Sequence, residues 1–310
     1  MRIASISKLI TALMTVNLAQ KGNVDLNENL VEFLKSNEIQ LAMGDQEVDC
    51  MTFKQLLSHT AGVTDEGSHE VFSSRNYPTV KDGLQMFIND KLLFKPGSEY
   101  NYTTFGYSLL SNILEKSSGK SFEQLLSDFT SKLGLPHTRL DSFEEIILNR
   151  CQYYCKGDNG KLKNCPYVDD SCRWAGGGIV STAQDIANLV TEFETQAELK
   201  LHYGYGMRVF HEQESHGKTA QYFKLSHNGG AVVLVLPLGK HMSGGKPRGI
   251  TVVMFSNSLE RDVIRLAHEI AASFEEQIED GENTKYEKRV AFKKFLLGLA
   301  PTANVSSRHV

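Results

Sequence analysis

No apolar run in this sequence reaches the roughly 18 residues that a membrane-spanning helix needs, and nothing at its start has the form of a signal or transit peptide. Neither sign of charge dominates. Lys and Arg number 33 against 37 Asp and Glu, and the net charge of −4 gives no broad electrostatic reason to expect a nucleic-acid partner. Cysteine is sparse and odd in number: five thiols in 310 residues argue against a secreted disulfide framework. Four of the five fall at Cys151, Cys155, Cys165 and Cys172 without the close Cys-x-x-Cys knuckles of a structural zinc site. A disulfide inside that stretch and free thiols both stay open. There is no internal repeat, and the chemistry requires no metal or cofactor.

What is present suits a large folded unit. At 41% hydrophobic and 23% charged, the chain can bury a substantial core and is expected to be soluble. Apolar spacing predicts a helix over 7–20, a short segment from Val31 to Leu34, and a helix over 52–58 stopped by His59-Thr60-Ala61-Gly62. An amphipathic stretch covers 81–89. Phe105, Leu109, Leu110, Ile113 and Leu114 mark another helix over 104–117, and 122–132 follows as a third. Beyond Cys151 the pattern changes to a hairpin turning at Asp158-Asn159-Gly160, a helix over 184–193, and β-runs at 206–210, 223–226, 232–236 and 250–256. A helix over 261–277 closes the series. The fold class predicted is α+β, an antiparallel sheet flanked by helices with an added helical region.

Three short segments carry candidate chemistry: Ser5-Ile6-Ser7-Lys8, Tyr102-Thr103-Thr104 and His227-Asn228-Gly229. Ser-x-x-Lys occurs four times in the chain, but only Ser5 to Lys8 runs directly into a buried-helix pattern, Leu9, Ile10, Leu13, Met14 and Leu18. Spacing of three on a helix puts Ser5 and Lys8 on one face. Taken alone, the same pair reads equally as an N-capping Ser beside a solvated Lys, Tyr102 as a core aromatic, and His227 as a turn residue. Together and in this order they are the parts of a serine acyl-transfer site.

The order Ser5 to Lys8, Leu57-Ser58-His59-Thr60-Ala61-Gly62, Pro96-Gly97 before Tyr102, Trp174 to Thr182 and His227-Asn228-Gly229-Gly230 resembles the serine β-lactamase-like family, which includes class C β-lactamases, penicillin-binding proteins, esterases and peptidases. Pro166 to Asp170 ahead of Trp174-Ala175-Gly176-Gly177-Gly178 resembles its animal mitochondrial branch. The resemblance covers residues 1–278 as one domain. It implies Ser5 as nucleophile, Lys8 and Tyr102 as the groups that handle its proton, and His227, Gly229, Gly230 and Thr104 at the oxyanion and substrate side. A Lys with an ordinary pKa of about 10.4 is almost wholly protonated at pH 7, so this role requires a depression of about 3 units by burial and nearby cations.

Two positions depart from the bacterial pattern. Thr104 stands where Asn is usual and Asn228 where Thr or Ser is usual, so a peptide or ester is the expected substrate rather than a β-lactam. Only four residues precede Ser5, where the family places a helix and the first strands of the sheet; the expectation is that those strands are missing. The resemblance further implies a mitochondrial protein linked to lipid-metabolism regulation, or a cytoplasmic one if the short start is genuine. A scaffold that keeps the fold without catalysis is the alternative, and a homo-oligomer is compatible with either. Residues 279–310 form a tail outside the resemblance. Within 285–299, Phe292, Phe295, Leu296 and Leu299 share a helical face with lysines around them, which reads as a basic helix able to contact a membrane.

Overall fold

The computed structural model describes residues 1–37, 39, 42–43, 46–47, 49–65, 73–195, 208–213, 219–226, 231–237, 249–257, 266–267 and 269–270. Its helices are α1 (Ile6–Gln20), α2 (Val31–Ser36), α3 (Phe53–Leu57), α4 (Val80–Gly83), α5 (Phe105–Ser118), α6 (Phe122–Lys132), α7 (Trp174–Gly177) and α8 (Ala183–Thr195). The strands are β1 (Ala42–Met43), β2 (Gln46–Glu47), β3 (Arg139–Leu140), β4 (Tyr154–Lys156), β5 (Leu162–Asn164), β6 (Ile179–Val180), β7 (Arg208–Gln213), β8 (Thr219–Ser226), β9 (Ala231–Pro237) and β10 (Gly249–Phe255).

The central element is α1. Every residue from Ile6 to Thr15 is buried, the mark of a helix covered on all sides rather than along one stripe. Its polar side chains therefore need internal partners. Thr11 donates to the Ala175 carbonyl at 2.9 Å, and Thr15 donates back to the Thr11 carbonyl at 2.8 Å. Around α1 pack α5, α6, α7 and β9. The surrounding helices are bounded by local signals: Thr52 and Gln55 form a capping box on α3, Ser121 caps α6, and Gly119 ends α5 in the left-handed region at φ 69°. The amphipathic stretch over 81–89 is shorter than its pattern predicts. It is α4 followed by a 3-10 turn, and Gly83 at their junction lies directly on the Cys172 backbone, where an added Cβ would sit 2.9 Å from it.

The larger sheet runs β10-β9-β8-β7, antiparallel throughout, with Val253 opposite Val233 and Leu225 opposite Val233 on the other side. α8 packs on β10, burying Val252 and Val253. The predicted hairpin is β4–β5. Of the predicted helix over 261–277, Leu266, Ala267, Glu269 and Ile270 are helical and the rest lies outside the described residues, as does the tail after 278. Among the described residues no helix is long and apolar enough to cross a membrane. Cys151, Cys155, Cys165 and Cys172 are free thiols, as is Cys50.

The segment ahead of α1 is held from several directions. Ile3 N–H donates to the Ile179 carbonyl at 3.0 Å, and Arg2 pairs with Val180 as an isolated bridge. The Arg2 guanidinium meets Asp141 at 2.6 Å and Asp170 at 3.3 Å. Asp141 also binds Arg150, and Asp170 binds Arg173, both at 2.8 Å. Each of these buried carboxylates is thus shared by two guanidinium groups, the condition under which buried charge is tolerated. Ala4, the residue between this clamp and Ser5, sits at φ 46°, a conformation that side-chain-bearing residues seldom adopt.

Candidate active site

Ser5 lies at the head of α1, and its side chain makes no capping bond to the helix. Its Oγ is instead the meeting point of two other groups. Tyr102 donates from its hydroxyl at 2.6 Å, and Lys8 Nζ lies 3.1 Å away. Lys8, one turn along α1, is 1% exposed. Its Nζ also lies 2.7 Å from the Gly176 carbonyl and 3.2 Å from Thr104 Oγ1. The rings of Tyr102 and Tyr107 wall it in, with centroids 4.7 and 5.8 Å from Nζ. Burial pushes the Lys8 pKa down to about 7; Asp65 acts against that shift and Arg173 with it. The depression required of a lysine that accepts a proton near neutrality is therefore supplied mainly by desolvation.

Tyr102 is brought to Ser5 by the loop between Pro96 and α5, which is stitched to residues 59–65. Thr103 N–H donates to His59 Nδ1 at 3.2 Å, Thr103 Oγ1 to the Thr64 carbonyl at 3.0 Å, and Thr104 N–H to Asp65 Oδ1 at 2.8 Å. From the opposite side α7 presents the Gly176 carbonyl. Gly176 has no room for a side chain: a Cβ would lie 2.6 Å from Thr104 Cγ2 and 2.9 Å from the Thr104 carbonyl oxygen. Gly176→Ala is accordingly expected to displace Thr104 and to cost about 1 to 3 kcal/mol of stability, measured by urea unfolding.

A family model for Beta-lactamase matches residues 1–273. The chain belongs to the beta-lactamase family. This is a family of serine hydrolases whose members share the mixed fold of helices and antiparallel strands described above. The serine beta-lactamase-like protein LACTB, mitochondrial, of Mus musculus is 29% identical over 257 residues, which is 68% of this chain and 47% of that protein. The chain thus spans about half the length of the curated relatives it matches. The D-amino acid amidase of Ochrobactrum anthropi SV3, solved with L-phenylalanine, is similar in structure at a TM-score of 0.68 and 18% identity, over 91% of this chain and 86% of that one. An octameric penicillin-binding protein homologue from Pyrococcus abyssi is similar at 0.65 and 20%, over 96% of this chain and 69% of that one.

Of the residues expected at the family site, the structure brings Ser5, Lys8, Tyr102 and Thr104 together. His227, Gly229 and Gly230 lie outside the described residues; β9, the strand that follows them, packs against α1. Three participants have no assigned role in the sequence reading: the Gly176 carbonyl, Asp65 and His59. Gly176 lies within a recognisable Gly176-Gly177-Gly178 run, yet what it offers is a backbone oxygen, which no search by side-chain type can find. Asp65 is one carboxylate among many in a loop, and only the folded chain sets it against Thr104.

Proposed function

We propose that this chain hydrolyses peptides or esters through an acyl-enzyme formed on Ser5, with Lys8 as the general base and Tyr102 as the proton donor. The observation that carries this reading is the set of three oxygens around Lys8 Nζ. A neutral amine has two N–H bonds and one lone pair. The Gly176 carbonyl can only accept, so it takes one N–H, and Thr104 Oγ1 takes the other. The lone pair then faces Ser5 Oγ and is free to receive its proton.

As Ser5 Oγ attacks the substrate carbonyl, its proton passes to Lys8 Nζ, and the ammonium formed keeps its bonds to Gly176 and Thr104. Tyr102 O–H, the second group on Ser5 Oγ, stands next to the departing amine or alcohol and gives it a proton. The developing oxyanion needs backbone donors; the Ser5 N–H at the head of α1 is one, where the helix terminus also favours negative charge. Water then attacks the acyl carbon and gives a proton to the Tyr102 phenolate, while the Lys8 ammonium returns its proton to Ser5 Oγ as the bond between Ser5 and the acyl group breaks, which restores all three side chains. Thr104 in place of an amide, with its hydroxyl turned to Lys8, supports peptides and esters over β-lactams.

The test is labelling with a fluorophosphonate probe and recovery of the probe on the peptide that contains Ser5. Tyr102→Phe is expected to slow that labelling about 100-fold; an unchanged rate would remove the phenol from the mechanism. Two coarser parts of the reading follow from relatives. The mouse relative is named as mitochondrial, and we extend that location to this protein; imaging that finds the tagged full-length protein elsewhere would overturn it. The Pyrococcus abyssi homologue is octameric, and a homo-oligomer here would be seen by sedimentation.

A further inference from the structure

His59 is 5% exposed and has no place in the proton transfers described above. It is also one of three non-glycine residues with positive φ among the described residues, at 60°. Its contacts fall on Tyr102 from both sides. The His59 carbonyl accepts the Asn101 N–H at 3.0 Å, and its Nδ1 accepts the Thr103 N–H at 3.2 Å. Its ring lies against the Tyr102 ring, centroids 4.5 Å apart, with Tyr107 at 5.3 Å on the same residue. The backbone N–H groups immediately before and after Tyr102 are therefore both held by His59, once through its backbone and once through its side chain, while the Thr103 side chain is tied separately to the Thr64 carbonyl.

That arrangement makes two separate demands. The backbone must turn left-handed so that the carbonyl reaches Asn101, and an acceptor must stand at the δ position of the side chain to reach Thr103. Nδ1 can accept only while the ring proton is on the other nitrogen, so the hydrogen bond also selects the tautomer. Glycine meets the first demand alone. Asparagine meets both, because it enters the left-handed region more readily than most residues and carries a δ oxygen.

We infer that His59 is a positioning residue for the reaction, holding the backbone on either side of Tyr102 so that the phenol stays on Ser5 Oγ. The inference rests on the proposed roles of Ser5 and Tyr102. A displacement of about 1 Å at such a group lowers a rate by as much as 100-fold, so the loop need not unfold for the effect to appear.

The experiment compares the full chain with His59→Gly and His59→Asn by two readouts. The first is the rate of Ser5 labelling by a fluorophosphonate. The second is the NMR signal of Tyr102 in protein carrying 13Cζ-tyrosine, identified by its loss in Tyr102→Phe. The expected result is labelling about 10- to 100-fold slower in His59→Gly, with the Tyr102 signal moved. His59→Asn is expected to restore the rate to within about threefold and to place the Tyr102 signal apart from that of His59→Gly although both variants lack the ring, which a purely structural role for the histidine ring would not produce. Wild-type labelling in a folded His59→Gly would overturn the inference, as would a folded His59→Asn that is as slow as the glycine variant. If the glycine variant does not fold, the asparagine variant decides by its labelling rate. If Ser5 is not labelled even in the wild type, the acyl-enzyme reading fails, and the Tyr102 signal alone decides positioning: a different place in His59→Gly and His59→Asn, which both lack the neighbouring ring, upholds it, and the same place in the two overturns it.

Discussion

Ser5→Ala is expected to abolish covalent labelling while shifting stability by no more than about 1 kcal/mol. The loss follows from convergence: Lys8 and Tyr102 both end on Ser5 Oγ. The small effect on stability follows from what Ser5 does not do. Its side chain caps nothing in α1, so the helix keeps its start when the hydroxyl goes, and the penalty of about 1 kcal/mol for a lost cap does not apply. What disappears is a pair of polar contacts, each of modest net value. Labelling kinetics and a thermal melt on the same preparation test both halves. A variant that still labels at the wild-type rate would place the nucleophile elsewhere.

Lys8→Met is expected to eliminate acylation and at the same time make the protein more stable. A lysine whose pKa falls from 10.5 to about 7 on folding carries a penalty of about 4 to 5 kcal/mol below pH 7, where it is protonated in both states. Methionine of similar length has no such penalty. It does leave the Gly176 carbonyl without its donor, at a cost of about 1 to 3 kcal/mol, so a net gain of about 1 to 4 kcal/mol is expected by urea unfolding at pH 7. The sign of the pH dependence is fixed by the same shift. Between pH 7 and 10.5 the unfolded lysine binds more protons than the folded one, so wild-type stability rises with pH across that window. In Lys8→Met this contribution is gone. Acylation by the wild type should rise about tenfold per pH unit below 7 and level off above it, as neutral Lys8 is populated. A flat profile from pH 5.5 to 9 would exclude Lys8 as the base.

The parts of the site that could be read from the sequence are those borne by side chains near local signals. Ser5 and Lys8 announce themselves through the apolar helix they open, and Tyr102 through the turn before it. The helices α1, α5 and α6 are visible in their spacing because burial on a helix imposes a period on the sequence. The four longer strands are visible as apolar runs, though β7 extends to Gln213 and β8 begins at Thr219, through polar residues whose pairing is decided by neighbours rather than by their own preference. What the sequence hides is the contribution of backbone and of long-range charge. The Gly176 carbonyl, the His59 turn and the Asp65 anchor gain meaning only from residues some 40 to 170 positions away.

That separation has a consequence for how the protein reaches its reactive form. The clamp on Arg2 and Ile3 joins them to Asp141, Asp170 and Ile179, so the strand leading to Ser5 is secured only after nearly 180 residues have been gathered. Loops of that length close slowly compared with the local turns of α1 or α5. The helix bearing Ser5, the proposed nucleophile, can form early, but the surroundings that strip Lys8 of water and seat Tyr102 are assembled late. A chain still emerging from synthesis, or one caught partway through refolding, would present Ser5 as an ordinary hydroxyl. On the proposed mechanism, reactivity toward an acylating probe would then be a clock for the completion of folding, starting only when Arg2 and Ile3 meet Asp141, Asp170 and Ile179.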